Sequence, residues 1–386
     1  MSPAGGNGHT STQPSGGKGS TASSGIATIL ARALREETLF PGEIGALLAA
    51  GPRDRPALFA AADEMRRRHM GDDVHLRGII EFSNYCRNNC LYCGLRRENR
   101  RVKRYRMAPV EITDAARQAV SMGFKTIVLQ SGEDPYYKGD VLARIISAIK
   151  ELDAAVTLSV GDRRREEYEL WRRAGADRYL LKHETADPEL FARLRPGTTL
   201  SQRLKRLYWL RELGYQVGSG NMVGLPGQTT EILAADLLLL KELDVEMAGI
   251  GPFIPHPETP LGKCPPGDWQ LSLKVLAVAR LLLPKAHLPA TTALGTIHPR
   301  GREMGLKCGA NVVMPDATPL QYRTHYQIYP GKAGLEADTR RVLAELHKMI
   351  HSLGRRVAAD YGHTPKGENI ISGRNYHAPM GTGHLY

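Results

Sequence analysis

The sequence predicts an α/β protein: a (β/α)8 barrel of TIM type with a helical extension in front of it. Three observations predict this class. Eight short apolar runs with strand-like composition recur from Val74 onward. Segments with apolar residues at helical spacing lie between them. The alternating units fill about 270 residues, the size of one barrel, with strands buried on both faces. An open doubly wound sheet would satisfy the same alternation and is the alternative architecture.

The elements follow in order. Residues 1–25 are mostly Gly, Ser and Thr and read as a disordered tail. Their lack of an apolar segment argues against a secretory signal and for a cytoplasmic protein. Residues 26–72 read as a helical extension. The barrel is expected over 73–355, with strands at His75–Phe82, Lys125–Gln130, Ala155–Val160, Arg178–Lys182, Gln216–Val223, Met247–Phe253, Leu288–Leu294 and Ala310–Met314. Between the first two, Pro109–Met122 has a proline suited to a first turn, Glu111 beside it and Gly123 as a stop. Val141, Ile145 and Ile149 mark the next helix, Leu233, Leu237, Leu240 and Leu243 another, and Leu271–Leu283 another. Leu343, Leu346, Ile350 and Leu353 mark the last. Residues 356–386 read as an irregular tail. In a barrel of this kind, chemistry belongs at the C-terminal ends of the strands.

Composition narrows the function. Fifty-two Lys plus Arg against 40 Asp plus Glu give a net charge of +12, which favours anionic partners. Aromatic residues are only 6% of the chain, poor material for stacking bases. No apolar stretch reaches the length of a membrane span. Five cysteines, an odd number, argue against a disulfide framework and for metal or redox chemistry.

Three of those cysteines, Cys86, Cys90 and Cys93, fall after the first strand with C-x3-C-x2-C spacing. Thiolates are soft ligands for iron–sulfur clusters and zinc. A [4Fe–4S] cluster normally takes four cysteines, so three leave one iron open to a substrate or cofactor. Zinc completed by a histidine is the other reading, although no second cysteine pair and no nearby histidine is present. The loop from Ser83 to Ala108 is about 25 residues long, a length that usually means function.

The trio, with Tyr92 before the last cysteine, resembles the radical S-adenosylmethionine (SAM) superfamily. Longer stretches resemble the HydE family within it, which matures [FeFe]-hydrogenase. They are Ile80–Asn84, Cys93–Asn99, Lys103–Met107, Thr126–Pro135, Arg178–Thr185, Met222–Thr229, Gly249–Pro257 and Pro289–Ala293. Methylornithine synthase and biotin synthase share the barrel and several motifs. The resemblance runs from about residue 30 to about residue 355. It implies one [4Fe–4S] cluster on Cys86, Cys90 and Cys93, and SAM on its open iron. Gln130, Ser131 and Gly132 would face the methionine moiety, Ser159 and Glu184 the ribose or amino end, and Arg203 would pair with the carboxylate. No side chain is implied as the reacting group, because the radical arises on SAM.

The resemblance further implies that the barrel interior holds the substrate, an anionic iron–carbonyl–cyanide complex bearing cysteine. The matching positions are Arg77, Thr157, Arg178, Lys182, Met247, Thr291, Thr292, Met314, Tyr326 and Tyr329. Arg77 and Arg178 lie in otherwise apolar strands, where a buried guanidinium needs a partner. The implied partners are other hydrogenase maturases and an external electron donor. Two departures stand out. Residues 309–386 contain no cysteine, so an accessory cluster held by some members is not expected. Lys182 stands where the family suggests Arg, a point charge in place of a planar fork. His363, His377 and His384 lie outside the resemblance and read as solvated.

Three rival readings fit parts of the sequence. A mutase resembling methylornithine synthase would use interior arginines on an amino acid. The basic run Arg96–Arg106, with seven Lys and Arg, would suit nucleic acid, but no added RNA-binding domain accompanies it. A non-catalytic electron carrier would not need the open iron.

Overall fold

A computed structural model describes residues 20–367. His377, His384 and most of the N-terminal tail lie outside the described residues. Ten strands follow in chain order: β1 Asp73–Ser83, β2 Thr126–Ser131, β3 Ala155–Ser159, β4 Arg178–Leu180, β5 Gln216–Ser219, β6 Met222–Val223, β7 Met247–Ala248, β8 Gly251–Pro252, β9 Val312–Val313 and β10 Arg356–Val357. Strands β1, β2, β3, β4, β5 and β7 are neighbours in that order, all parallel. Parallel bridges Met247↔His287 and Pro289↔Val312 continue the ring. It closes where β9 pairs with β1 through His75↔Val312. The strands thus form a closed parallel barrel, with helices outside it.

The seventh member of the ring is reduced to those two bridges. The expected strand Leu288–Leu294 stops early because the Thr291 hydroxyl accepts a hydrogen bond from the Leu294 N–H at 3.3 Å. That caps a helix over Thr292–Ile297. The expected strand Gln216–Val223 is likewise broken, at Gly220. There the backbone passes so near Gly249 that a Cβ would overlap its carbonyl oxygen. Beyond the break, β6 and β8 pair as a separate ribbon.

Helix boundaries have local causes. Pro109–Ser121 begins where the Glu111 carboxylate accepts from the Ala108 N–H at 2.7 Å. Thr230–Glu242 is capped by Thr229 and Thr339–Ser352 by Asp338. Each turns an apolar stripe inward, such as Leu142, Ile145, Ile146 and Ile149 on Gly139–Lys150. The extension forms helices Ser20–Leu34, Pro41–Leu48 and Arg55–Met70. They pack on the barrel helix Trp269–Leu282. The first begins inside the segment read as tail. Among the described residues, no helix is long and apolar enough to cross a membrane.

The segment read as an irregular C-terminal tail begins as a strand. Arg356 and Val357 pair with Asp73 and Val74 of β1. The chain then runs beneath the N-terminal ends of the strands and closes the barrel floor. The Tyr361 carbonyl accepts from Thr126 Oγ1 at 2.9 Å and from Arg178 Nη2 at 2.7 Å. The Gly362 carbonyl accepts from Arg77 Nη2 at 3.2 Å. Gly362 has φ +59°, and a Cβ there would lie 2.7 Å from His75 Nδ1. Gly362→Ala is therefore expected to destabilise the chain by about 1–3 kcal/mol. A urea titration against the parent checks this; an unchanged midpoint would mean that the floor does not depend on this segment.

Candidate functional site

The cysteine loop leaves the barrel at the C-terminal end of β1 and is tied at its base. Ser83 and Arg106 form an antiparallel bridge across the loop ends. Asn84 is buried between them. Its amide donates to the Lys103 carbonyl at 2.9 Å and to the His325 carbonyl at 2.8 Å, and its oxygen accepts from the Tyr105 N–H at 2.8 Å. Arg104 donates to four carbonyls, those of Asn84, Leu95, Arg96 and Asn99. Three further bonds seat the cysteine turns on the barrel mouth: Arg87 N–H to the Glu133 carbonyl at 3.0 Å, Leu91 N–H to Leu194 at 2.9 Å, and Gly94 N–H to Ile328 at 2.9 Å.

Cys90 is buried, and Cys86 and Cys93 are partly exposed. Burial raises all three thiol pKa values, and for Cys93 the nearby Cys90 and Cys86 raise it further. The three thiols thus act on one another in one largely desolvated region, a soft donor set, although among the described residues no three donors converge on a single metal ion. Gly132, at the end of β2, makes room for them. A Cβ there would overlap the Tyr85 carbonyl oxygen and lie 2.9 Å from the Cys86 Cβ. Gly132→Ala is expected to displace the first cysteine and lower iron incorporation at least about tenfold on reconstitution. Iron analysis of the purified variant would test this, and full loading would refute it.

Beside Cys90 lies a buried charged pocket at the ends of β2, β3 and β4. Glu133, Glu184, Arg195 and Arg203 all act electrostatically on the Cys90 thiol. Glu133 accepts from Arg87 Nε at 3.2 Å and from Arg195 Nη2 at 3.4 Å. Burial would raise the Glu133 pKa, but Arg203 and Arg195 overcome it and hold the carboxyl below its usual range. Arg203 Nη2 lies 3.3 Å from Asp162 Oδ2 and 3.9 Å from Glu133 Oε1. The Nε atoms of Arg195 and Arg203 have no partner, whereas Arg203 Nη2 and Arg206 Nε are held in ion pairs to Asp162. Buried guanidinium atoms without partners are costly. An incoming carboxylate would satisfy them. The pocket therefore fits the amino-acid end of a SAM-like molecule.

Glu184 follows β4 in the left-handed region, φ +67°. Such strain in a residue with a side chain collects at functional sites. Its position is held by N–H donation to the Gly220 carbonyl at 2.9 Å and by its own carbonyl accepting from Met222 N–H at 3.1 Å. Its carboxylate lies 3.9 Å from Lys182 Nζ. The Gln130 side chain lies beside the Tyr326 phenol, and the Ser131 hydroxyl donates to the Gly132 carbonyl at 2.7 Å. Tyr92 Oη accepts from Arg195 Nη1 at 3.2 Å. Ser159 sits at the end of β3, paired with Gln130. The residues expected around SAM thus ring the barrel mouth. Glu133, Asp162 and Arg195 belong with them and escaped the sequence reading. Glu133 had a signal, since it directly continues the Gln130–Gly132 stretch.

The ten interior residues do not form one group. Arg178 and Arg77 point to the floor. Arg178 donates to Tyr361 and also meets His363 Nδ1 at 2.9 Å and Gln216 Oε1 at 3.3 Å. Arg77 Nη1 lies 2.9 Å from the Met247 sulfur, and its Nε has no partner. The partner expected for these guanidiniums is thus largely neutral backbone supplied by the C-terminal segment. His363, read as solvated, is part of that floor. Thr291 is committed to its helix cap, and Thr292 is the first residue of that helix. Thr157 is buried with an unpartnered hydroxyl. Lys182, Met314 and Tyr329 are partly buried, and Tyr326 is fully buried. Burial pushes the Tyr329 phenol up to about 12.

A buried ion triad at the upper end of β1 was also missed. Lys332 Nζ lies 2.5 Å from both Glu81 carboxylate oxygens and 2.6 Å from Asp316 Oδ2. The sequence signal was Glu81 itself, a lone carboxylate among Ile79, Ile80 and Phe82. Its partners come from a stretch without periodicity.

The chain as a whole is similar to known proteins. The family model described as the Radical SAM superfamily matches residues 80–240. The [FeFe] hydrogenase maturase subunit HydE of Thermotoga maritima is 59% identical over 307 residues, covering 79% of this chain and 88% of that protein. The 3-methylornithine synthase of Methanosarcina acetivorans is 31% identical over 275 residues, covering 70% of this chain and 77% of that one. The crystal structure of methylornithine synthase (PylB) superposes with a TM-score of 0.77 at 25% identity, covering 86% of this chain and 97% of that one.

Proposed function

Since the chain belongs to the HydE family of the radical SAM superfamily, we propose that it acts on an anionic iron–carbonyl–cyanide complex bearing cysteine, a precursor of the H-cluster diiron site. Enzymes of this superfamily use a [4Fe–4S] cluster and SAM, and the reduced cluster when bound would supply the electron that cleaves SAM to methionine and a 5′-deoxyadenosyl radical. Every other task falls to the chain. Cys86, Cys90 and Cys93 would hold the cluster through their thiolates. Arg203 would take the SAM carboxylate on its unpartnered Nε, with Asp162 and Glu133 holding its Nη2. Glu184 and Ser159 take the ribose hydroxyls or the ammonium, and Gln130, Ser131 and Gly132 line the methionine side. Tyr92 and Arg195 close the wall beside Cys90.

The single observation that carries this reading is the two buried, unpartnered Nε atoms of Arg195 and Arg203 next to Cys90. For the substrate, support comes from the positive interior below: Lys182 near the mouth, the free Nε of Arg77, and the unpartnered Thr157 hydroxyl. Arg178 anchors the floor that shapes this space. Tyr326, Tyr329, Met247, Met314, Thr291 and Thr292 are proposed as further substrate contacts. The chain works with the other hydrogenase maturases, takes electrons from an external donor, and needs the reducing cytoplasm to keep its thiols free.

A second reading has one specific observation in its favour, the likeness to 3-methylornithine synthase. An amino acid would then occupy the same interior. Anaerobic reconstitution with iron and sulfide, followed by SAM and reductant, separates the two. Adenosyl products that depend on the cysteine-bearing iron complex support maturation. Products that depend on L-lysine move the chain to the mutase reading.

A further inference from the structure

Reductive cleavage of SAM consumes an electron that must enter from outside, and the surface around the cysteine loop has the character of a docking face. The run Arg96–Arg106 folds back onto the turn between the first two cysteines. Arg97 N–H donates to the Asn88 carbonyl at 2.8 Å, and Glu98 N–H donates to Asn89 Oδ1 at 3.2 Å. The bonds from Arg104 to four carbonyls make the fold-back rigid. Arg97, Arg100 and Lys103 are left exposed, and no acidic side chain among the described residues is paired with them. Many exposed cations on the helices are instead paired locally, as in Arg117–Asp114, Arg144–Asp140 and Arg341–Glu345. Other exposed cations without an ion pair, such as Lys138, Lys241 and Lys348, stand singly over the surface, whereas Arg97, Arg100 and Lys103 fall within seven residues of one another beside the cysteines.

An aromatic stack borders this run. The Arg106 guanidinium sits 3.7 Å from the Tyr85 ring centre and 4.5 Å from that of Tyr136. Asp134 fixes it with bonds of 2.7 and 3.0 Å. Tyr136 is 60% exposed and Tyr85 36%, and Tyr85 is the residue before Cys86. Ordered Tyr and Arg are the residues that dominate protein interfaces. Their faces are spent on Arg106, which leaves no open platform for stacking bases.

We infer that this face, Arg97, Arg100 and Lys103 with the Tyr85–Arg106–Tyr136 stack, docks a small acidic one-electron carrier protein. The inference rests on the reading of the chain as a reductive SAM-cleaving enzyme. One electron passes at the contact: the carrier is oxidised by one electron and the site at Cys86 is reduced by one, with no proton or leaving group exchanged. Charge complementarity supplies the encounter rate and orientation, and is sensitive to salt.

The test uses the reconstituted full chain and a reduced or oxidised acidic flavodoxin as the probe. Calorimetric titration with oxidised flavodoxin is expected to give binding that weakens steeply with salt. The variant Arg97→Glu/Arg100→Glu/Lys103→Glu should weaken it at least about tenfold, and the Gln triple variant less. Deoxyadenosine formation driven by reduced flavodoxin should fall in parallel. Formation driven by reduced methyl viologen, a small cation, should not change. Equal flavodoxin binding by parent and variant would overturn the inference. So would binding of a single-stranded RNA with none of flavodoxin, or loss of the viologen-driven reaction in the variant. Failure of the parent with methyl viologen would instead strike the enzymatic reading itself.

Discussion

Cys90→Ser abolishes cluster assembly and lowers SAM cleavage at least about a hundredfold. Serine keeps the size and loses the soft thiolate, so the site at the barrel mouth cannot complete its iron set. Cys90 is the most sensitive of the three because it is the buried one and faces the Glu133–Arg195–Arg203 pocket. Iron and sulfide content, the visible absorption of the reconstituted protein and deoxyadenosine yield all report the loss. Cys264→Ser is the control. Cys264 is partly exposed and lies outside the loop, so its replacement should leave all three readouts at parent level. Full iron loading of Cys90→Ser would contradict this placement of the cluster.

The largest effect on stability is expected at Lys332. Its ammonium is the shared partner of Glu81 and Asp316, all three nearly free of solvent. Lys332→Met leaves two carboxylates buried without their cation, at a cost of about 3–5 kcal/mol. Burial raises the Glu81 pKa well above its usual value, against the pull of Lys332. A carboxyl with a raised folded-state pKa contributes stability at low pH and loses it as pH rises. The penalty of the variant should therefore be smaller at low pH than at neutral pH. Adding Glu81→Gln should recover part of it at neutral pH. Denaturant titrations of the single and double variants at two pH values test this. A uniform loss at both, with no recovery, would mean that the triad acts through packing and not through charge.

Much of this was legible in the chain. The barrel was readable because its strands are buried on both faces and stand between amphipathic helices, two periods that alternate unmistakably. Strand seven was not, because Thr291 acts on the Leu294 N–H and not on periodicity. The cysteine loop was readable from spacing alone. The pocket beside it was half readable: Gln130, Ser131 and Glu184 follow strand ends, whereas Arg195 and Asp162 lie between elements and gain meaning only in space. The most instructive difference concerns Arg77 and Arg178. A buried guanidinium does need a partner, and residues 361–363 provide much of it. They come from a segment whose Gly, His and polar residues carry no pattern. Long-range contacts of that kind leave no local trace.

The interior is consequently more ordered than composition suggested. The floor occupies one end, and the ring of Arg203, Glu184, Gln130 and the cysteines occupies the other. The substitution of Lys for the expected Arg at 182 places a compact charge 3.9 Å from Glu184, where a fork would have offered paired donors.

The central claim is that Arg203 and its neighbours seat SAM against the open iron held by Cys86, Cys90 and Cys93. Electron paramagnetic resonance of the reduced, reconstituted protein tests it directly. The account predicts a cluster signal whose shape changes when SAM is added, and a change lost or shifted to much higher SAM concentration in Arg203→Ala while iron content stays the same. A cluster signal indifferent to SAM in the parent protein, with the cluster fully loaded, would contradict it.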